Sequence, residues 1–81
     1  MSPTVFREGP FRGFFFSREE SRIHVYVQSP QGEAKFWVEP KIELAENLGL
    51  PERELGRIQE VIERHEHEIR QAWKRHFSGD R

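Results

Sequence analysis

The sequence contains no cysteine, and this absence excludes a disulfide framework, a zinc–thiolate site and a thiol nucleophile. It also lacks an apolar run long enough to cross a bilayer, and its start does not show the basic and then apolar segments typical of a signal peptide. It carries no phosphate-binding loop, dinucleotide fingerprint or nucleophile elbow. We therefore expect a cytoplasmic protein with no membrane contact and no cofactor, and the residues favour a non-enzymatic role.

The chain has no excess of charge of either sign. Lysine and arginine number 13 against 14 aspartates and glutamates, and the net charge of -1 argues against a dedicated polyanion binder. Apolar residues make up only 35% of the 81 residues, but seven Phe and two Trp supply much of the area that a small core must bury. We predict a single domain over residues 1–81, with its core over 4–77 and a disordered tail over 78–81.

Two runs of alternating apolar and polar residues, IHVYVQ and EAKFWVE, flank the turn-forming segment Ser29-Pro30-Gln31-Gly32. This pattern is typical of an antiparallel hairpin with a short loop. Closing the hairpin on this loop predicts the cross-strand pairs Gln28–Glu33, Val27–Ala34, Tyr26–Lys35, Val25–Phe36, His24–Trp37 and Ile23–Val38.

The predicted register gives the hairpin two unlike faces, because successive side chains point to opposite sides of a strand. One face is apolar and is predicted to lie in the core: Ile23, Val25, Val27, Ala34, Phe36 and Val38. The other face carries His24, Tyr26, Lys35 and Trp37 and is predicted to look to solvent or to a partner. Aromatic groups beside a cation favour protein interfaces or nucleic-acid bases, although cross-strand aromatic pairs also stabilise a sheet with no ligand.

Two further strands are predicted before the hairpin. Residues 4–7 and 11–17 are rich in β-prone residues, and a Gly-Pro break separates them. Gly13 indicates either a bulge or a close approach of another group to the backbone.

Two helices are predicted after the hairpin. Residues 40–48 are predicted to form a short helix that Gly49 ends, and apolar residues spaced by three and four predict a longer helix from Pro51 to about residue 77. The expected fold is therefore α+β, a four-stranded antiparallel meander with two C-terminal helices packed on one face.

The histidines of the longer helix do not predict a metal site. His65 and His67 are two residues apart, so they point to different sides of a helix and cannot share an ion. His65 interrupts the apolar stripe of that helix and is interpreted as a boundary residue. No metal site is predicted.

The segments TVFREG, FRGFFFS, RIHVYV, GEAKFWVEP, LAENLGL and AWKRHF resemble a family of short bacterial proteins, the domain-of-unknown-function family four-one-six-zero. The resemblance runs from Thr4 to Phe77 and is most specific at His24-Val25 and at Lys35-Phe36-Trp37. Members often read Pro-Pro-His-x-His before the valine, and Arg22 stands here in place of the first histidine. The resemblance implies a gene pair that looks like a toxin–antitoxin arrangement, and it implies no reaction.

Together these observations lead to two functional hypotheses. The first is a bacterial protein-binding module, one component of a toxin–antitoxin-like pair, whose partner is a small protein or a second copy of the chain. The second is an RNA-binding protein or ribonuclease-type toxin, with His24 as general acid/base. The predicted contact residues are His24, Tyr26, Lys35, Trp37, Arg12 and Arg22, and in the second hypothesis Arg12, Arg22 or Lys35 would stabilise phosphate charge.

Overall fold

The fold is a five-stranded antiparallel sheet backed by two helices, seen in a computed structural model that describes residues 4–15 and 22–78. The strands lie side by side in the order in which they occur along the chain. The elements are β1 Thr4–Glu8, β2 Phe11–Phe14, β3 His24–Ser29, β4 Gly32–Trp37, β5 Glu43–Leu48, α1 Glu52–Arg64 and α2 Glu66–Ser78. The α+β class and the C-terminal position of the helices are confirmed, whereas the prediction of four strands is wrong.

The central hairpin has the predicted register. Every predicted pair from Gln28–Glu33 to His24–Trp37 is present, and the Val38 N–H donates to the Ile23 carbonyl at 3.0 Å. The loop is shorter than predicted, because Ser29 pairs with Gly32 and only Pro30 and Gln31 lie between the strands. The register is unchanged by this, so the two-residue alternation still sends each side chain to its predicted face.

The segment predicted as a short helix over residues 40–48 is not helical, and its residues from Glu43 to Leu48 form the strand β5. It pairs antiparallel with β4, from Glu33–Leu48 to Trp37–Glu43, with an irregularity between Lys35 and Phe36. The residues of β5 are mostly good helix formers, but β4 would otherwise leave a row of backbone groups unpaired. Pairing with β4 therefore overrides the local helical preference.

A turn joins β5 to α1 and places one apolar side chain in the core. Gly49 has a φ of +87°, a conformation that glycine adopts without steric cost. The Asn47 side chain donates to the Leu50 carbonyl and accepts from the Leu50 N–H, both at 3.0 Å. Leu50 is consequently buried, while Leu44 and Leu48 of β5 remain 42% and 61% exposed.

The long helix predicted from Pro51 is interrupted at His65. This residue has φ -106° and ψ 15°, and its N–H is shared between the carbonyls of Val61 and Ile62 at 3.1 Å each. The imidazole stacks on Phe6 of β1 with ring centroids 4.7 Å apart. The prediction of one long helix is therefore wrong, because His65 divides it into α1 and α2. The interpretation of His65 as a residue at the edge of the apolar stripe agrees with its half-buried position.

The apolar face of the hairpin and both helices enclose the core, as the sequence predicts. Val25, Val27, Phe36 and Val38 are at most 1% exposed. Fully burying side chains of this size stabilises a fold by about 1.5–3 kcal/mol each. The helices contribute Ile58, Val61, Ile62 and Ile69, and the first two strands with the residue after them contribute Phe6, Phe11 and Phe15.

Gly13 is the close approach that the sequence indicates. A Cβ at this position would lie 2.2 Å from the Phe6 ring, a distance that real side chains do not show. The predicted extension of this strand over residues 16–17 lies outside the described residues. The tail predicted over residues 78–81 is wrong at its first residue, because Ser78 ends α2, and its other residues lie outside the described ranges. Within the described part of the chain, neither helix has the length and apolar character needed to cross a bilayer.

Candidate functional site on the outer face of the sheet

The face of the sheet opposite the apolar core, here called the outer face, carries three rows of side chains that run across the strands. The register of the four strand pairs defines these rows, because directly opposite residues lie side by side on the same face. The first row is Arg7, Arg12, Gln28, Glu33 and Leu48; the second is Thr4, Phe14, Tyr26, Lys35 and Glu46; the third is His24, Trp37 and Glu43.

Four rings on the outer face form a continuous chain of contacts. Phe14 stacks on Tyr26 with centroids 5.7 Å apart, and Tyr26 meets His24 edge to face at the same distance. His24 in turn meets Trp37 edge to face at 5.8 Å. Offset-stacked and edge-to-face pairs of this kind are favourable, so the rings hold one another in place.

Cations lie over three of the four rings of the outer face. Arg12 lies 4.7 Å from the centre of the Phe14 ring, and Arg22 lies 4.3 Å from the centre of the Trp37 ring. Lys35 lies 4.7 Å from the Trp37 ring centre and 5.8 Å from that of Tyr26. Each of these distances is within the range in which a cation is attracted to a ring face.

Hydrogen bonds orient the two arginines that take part. Arg12 donates from Nε to Thr4 Oγ1 at 2.8 Å and from Nη1 to Gln28 Oε1 at 3.3 Å. Arg22 donates from Nε to the Glu39 carbonyl at 2.7 Å. The guanidinium groups are therefore held over the rings by polar contacts as well as by the rings themselves.

His24 lies beneath this surface, and the prediction that it faces solvent or a partner is wrong. It is 1% exposed, because Trp73 of α2 contacts its ring at 5.1 Å in addition to Tyr26 and Trp37. Its Nδ1 lies 2.8 Å from the Arg22 carbonyl. A carbonyl only accepts, so Nδ1 carries the hydrogen and donates it. His24 thus supports the rings and the Arg22 backbone from below.

The other predicted contact residues do share one face. Tyr26, Lys35, Trp37 and Arg12 are half-buried, and Arg22 is exposed. Among the residues of the face that were not predicted as contact residues, Phe14 takes part in the chain of rings and Arg7 stands opposite Arg12. The two-residue turn between β1 and β2 was a sufficient signal for placing Arg7 opposite Arg12. The position of Phe14 depends on the β2–β3 pairing, which no tight turn fixes.

A second polar cluster lies on the other side of the sheet and joins β1 to the helix junction. His65 Nδ1 lies 2.6 Å from Glu68 Oε1, and its Nε2 lies 2.9 Å from Glu8 Oε1. Glu8 also pairs with Arg64. Ionised carboxylates only accept, so both contacts are hydrogen bonds when both ring nitrogens carry hydrogens, that is, in the cationic form of the imidazole.

The charges of this cluster shift one another's protonation equilibria. The hydrogen bond to Glu68, reinforced by Glu8, raises the pKa of His65 above its ordinary value of 6.5. The hydrogen bond from Arg64, reinforced by that from His65, lowers the pKa of Glu8 below 4.5. The hydrogen bonds of this cluster connect β1 to both helices, so its role is interpreted as structural.

Comparison with known proteins gives one match. A family model described as a domain of unknown function, DUF4160, matches residues 11–74. No curated protein and no solved structure matches the chain. The matched range includes β2 to β5, α1 and most of α2, and therefore almost all of the outer face.

Proposed function

This chain belongs to the DUF4160 family of domains of unknown function, and we propose that it binds a partner protein through the outer face of its sheet. The observation that carries the proposal is the layer of arginine and lysine side chains held over aromatic rings on that face. Apart from Trp73, which contacts His24, the buried apolar residues described for both helices join the core on the opposite side of the sheet.

The chemistry of the outer face suits a protein contact. Tryptophan, tyrosine and arginine are the residue types that most often dominate binding energy at protein interfaces. Here they are already held in one arrangement by ring contacts and hydrogen bonds. Groups ordered before association lose less conformational entropy on binding, so a preorganised face binds more tightly than a mobile one.

The partner in this proposal is a small protein encoded beside the chain, in a bacterial gene pair of toxin–antitoxin type. The support for the gene pair is the family resemblance alone. The support for a protein as the ligand is the outer face.

The alternative function, cleavage of RNA, gains no support from His24. A general acid or base must reach the substrate within hydrogen-bond distance. His24 is 1% exposed and lies under three aromatic rings. Bases would also need open ring faces for stacking, and cations lie over Trp37 and Phe14. The geometry favours a protein partner over RNA.

Co-expression with the product of the neighbouring gene tests the proposal. We expect the tagged chain to capture that product, and Trp37→Ala to reduce capture at least tenfold, since hot-spot truncations cost about 1.4 kcal/mol or more. Arg57→Ala, on the exposed side of α1, is the matched control and should leave capture unchanged. Thermal denaturation of each variant confirms folding. Equal capture by the folded Trp37→Ala variant would remove the outer face from the interface.

A further inference from the structure

Two arginines stand directly opposite one another at one end of the first row of the outer face. Arg7 of β1 pairs with Arg12 of β2 in the antiparallel register. Directly opposite residues have Cβ atoms about 4.5–5.5 Å apart, and like charges in that position destabilise the sheet. The two guanidinium charges therefore repel each other, and a neutral residue at either position would remove this repulsion.

The two arginines differ in how they are held. Arg12 is fixed by Thr4, by Gln28 and by the Phe14 ring. The side chain of Arg7 is exposed and makes no hydrogen bond or ion pair with any other residue in the described ranges. One guanidinium is thus preoriented, and the other remains able to turn toward a ligand.

The pair borders a shallow cavity of about 320 Å³. Pro10 and Pro30 line this cavity, and their rings restrict the backbone there. The Ser29 hydroxyl and the Gln28 amide add polar groups to the lining. The lining residues are Arg7, Pro10, Arg12, Gln28, Ser29 and Pro30.

The acidic residue nearest to this pair in sequence is turned away from it. Glu8 follows Arg7 but lies on the other side of the sheet, where it bonds Arg64 and His65. Along the first row, Glu33 is separated from Arg12 by β3. Strands lie about 4.8 Å apart, so these two backbones are roughly 10 Å from one another.

We propose that Arg7 and Arg12 form a carboxylate-binding subsite that receives an acidic side chain of the partner. This inference rests on the proposed function and specifies which kind of partner segment the outer face selects. A guanidinium binds a carboxylate through two parallel hydrogen bonds, and two guanidinium groups facing one cavity can share one such group.

The order of charges along the row favours a carboxylate over the phosphates of RNA. After the two arginines come the neutral Gln28 and then Glu33. RNA carries a phosphate at every nucleotide, so a strand that followed the row would bring one of them against the Glu33 carboxylate. A peptide can place one acidic side chain at the arginines and direct the next away from the sheet. Glu33 is in turn placed to accept a basic group of the same partner, and hexaglutamate, which has no basic side chain, tests the arginine subsite alone.

The test is an NMR titration of the full chain, labelled with nitrogen-15, using a hexaglutamate peptide and, separately, a single-stranded uridine hexanucleotide. We expect hexaglutamate to shift the arginine Nε–H resonances of Arg7 and Arg12. The Arg7→Gln variant should weaken hexaglutamate binding about three- to tenfold, as expected for one charge-assisted contact. Arg57→Gln removes the same charge from the exposed surface of α1 and should leave binding unchanged.

A second readout separates a ligand site from a structural role. Without ligand, Arg7→Gln should raise the melting temperature, because it removes the repulsion across β1 and β2. A lowered melting temperature would mean that Arg7 serves the fold, and the inference would be overturned. Equal weakening by Arg57→Gln, or tighter binding of the hexanucleotide at the same resonances, would overturn it as well.

Failure of this subsite and failure of the proposed function are distinguishable. Trp37→Ala should retain hexaglutamate binding, because Trp37 lies in the third row and outside the cavity. If Arg7→Gln leaves hexaglutamate binding intact while Trp37→Ala abolishes partner capture, the subsite is wrong and the binding face stands. If Trp37→Ala leaves capture intact, the binding face itself is wrong.

Discussion

Replacing His24 with alanine should destabilise the fold strongly, although the residue is polar. The imidazole is 1% exposed and meets Tyr26, Trp37 and Trp73 with centroids 5.1–5.8 Å away. Each aromatic pair is worth roughly 0.5–1.5 kcal/mol beyond the area that it buries. The hydrogen bond to the Arg22 carbonyl adds about 1 kcal/mol. Allowing for partial collapse of the cavity, we expect a loss of about 3 kcal/mol.

A loss of this size is a large part of the stability available to the protein. A domain of 81 residues is expected to have an unfolding free energy of roughly 4–12 kcal/mol. In small domains each kcal/mol shifts the melting temperature by about 4–8 °C, so His24→Ala should lower it by roughly 12–24 °C. Urea denaturation followed by circular dichroism should show the same loss as a lower midpoint with an unchanged slope.

Two further variants separate packing from hydrogen bonding. His24→Phe keeps the ring contacts and loses only the bond to the Arg22 carbonyl, so it should cost about 1 kcal/mol. His67→Ala changes an exposed histidine of α2 and should stay within about 0.5 kcal/mol of the parent protein.

The reasoning about His24 is refuted by either of two results. A cost below about 1 kcal/mol for His24→Ala would show that the imidazole is not enclosed by three rings. A folded His24→Phe variant that no longer captures the partner protein would show that the imidazole itself is a contact residue.

The remaining predictions concern charge and glycine. The raised pKa of His65 means that its contribution to stability is complete below pH 6.5 and is lost as the pH rises through the higher folded value. The lowered pKa of Glu8 means that its contribution is present above pH 4.5 and is lost as the pH falls through the lower folded value. Melting temperature against pH should therefore peak between these limits. Gly56→Ala, in an exposed turn of α1, should stabilise the protein by about 1 kcal/mol, because the new Cβ would have no group other than the adjoining helix backbone within 4 Å. Gly13→Ala should cost about 1–3 kcal/mol, because its Cβ would overlap the ring of a buried phenylalanine of β1.

Each of these predictions has a contrary outcome. Stability that keeps rising from pH 6.5 into the alkaline range would show that His65 does not act as a cation between two carboxylates. A destabilising Gly56→Ala would mean that this turn of α1 packs against another part of the protein. An unchanged stability in Gly13→Ala would mean that the Phe6 ring can move away from β2 at no cost in free energy.

The features that the sequence predicted correctly depend on short-range rules. The hairpin register depends only on the turn at Ser29–Gly32 and on the alternation of the flanking strands. The apolar face follows from the same alternation, and so does the placing of Tyr26, Lys35 and Trp37 on one side. Membership of the DUF4160 family is likewise confirmed by the match over residues 11–74.

The features that the sequence did not predict depend on distant partners. The strand β5 forms because β4 offers an unpaired edge, which composition does not reveal. The break at His65 is accompanied by contacts with Phe6 and Glu8, which are far away in the chain. The burial of His24 requires Trp73 from the last helix. In each case the local sequence pattern allowed more than one structure, and a contact with a distant part of the chain selected the one observed.

The sequential order of the five strands has a consequence for how the chain folds. Each strand after β1 pairs with the strand that precedes it in the chain, so the sheet can form one hairpin at a time. The loops closed in this way are short, and the entropy lost in closing them is small. The exception is the first strand, whose Phe6 and Glu8 meet His65 from the C-terminal half of the chain. These contacts join residues at least 57 positions apart, as do those of Phe15 with Trp73 and His76, and we expect them to form last, when the helices dock on the sheet.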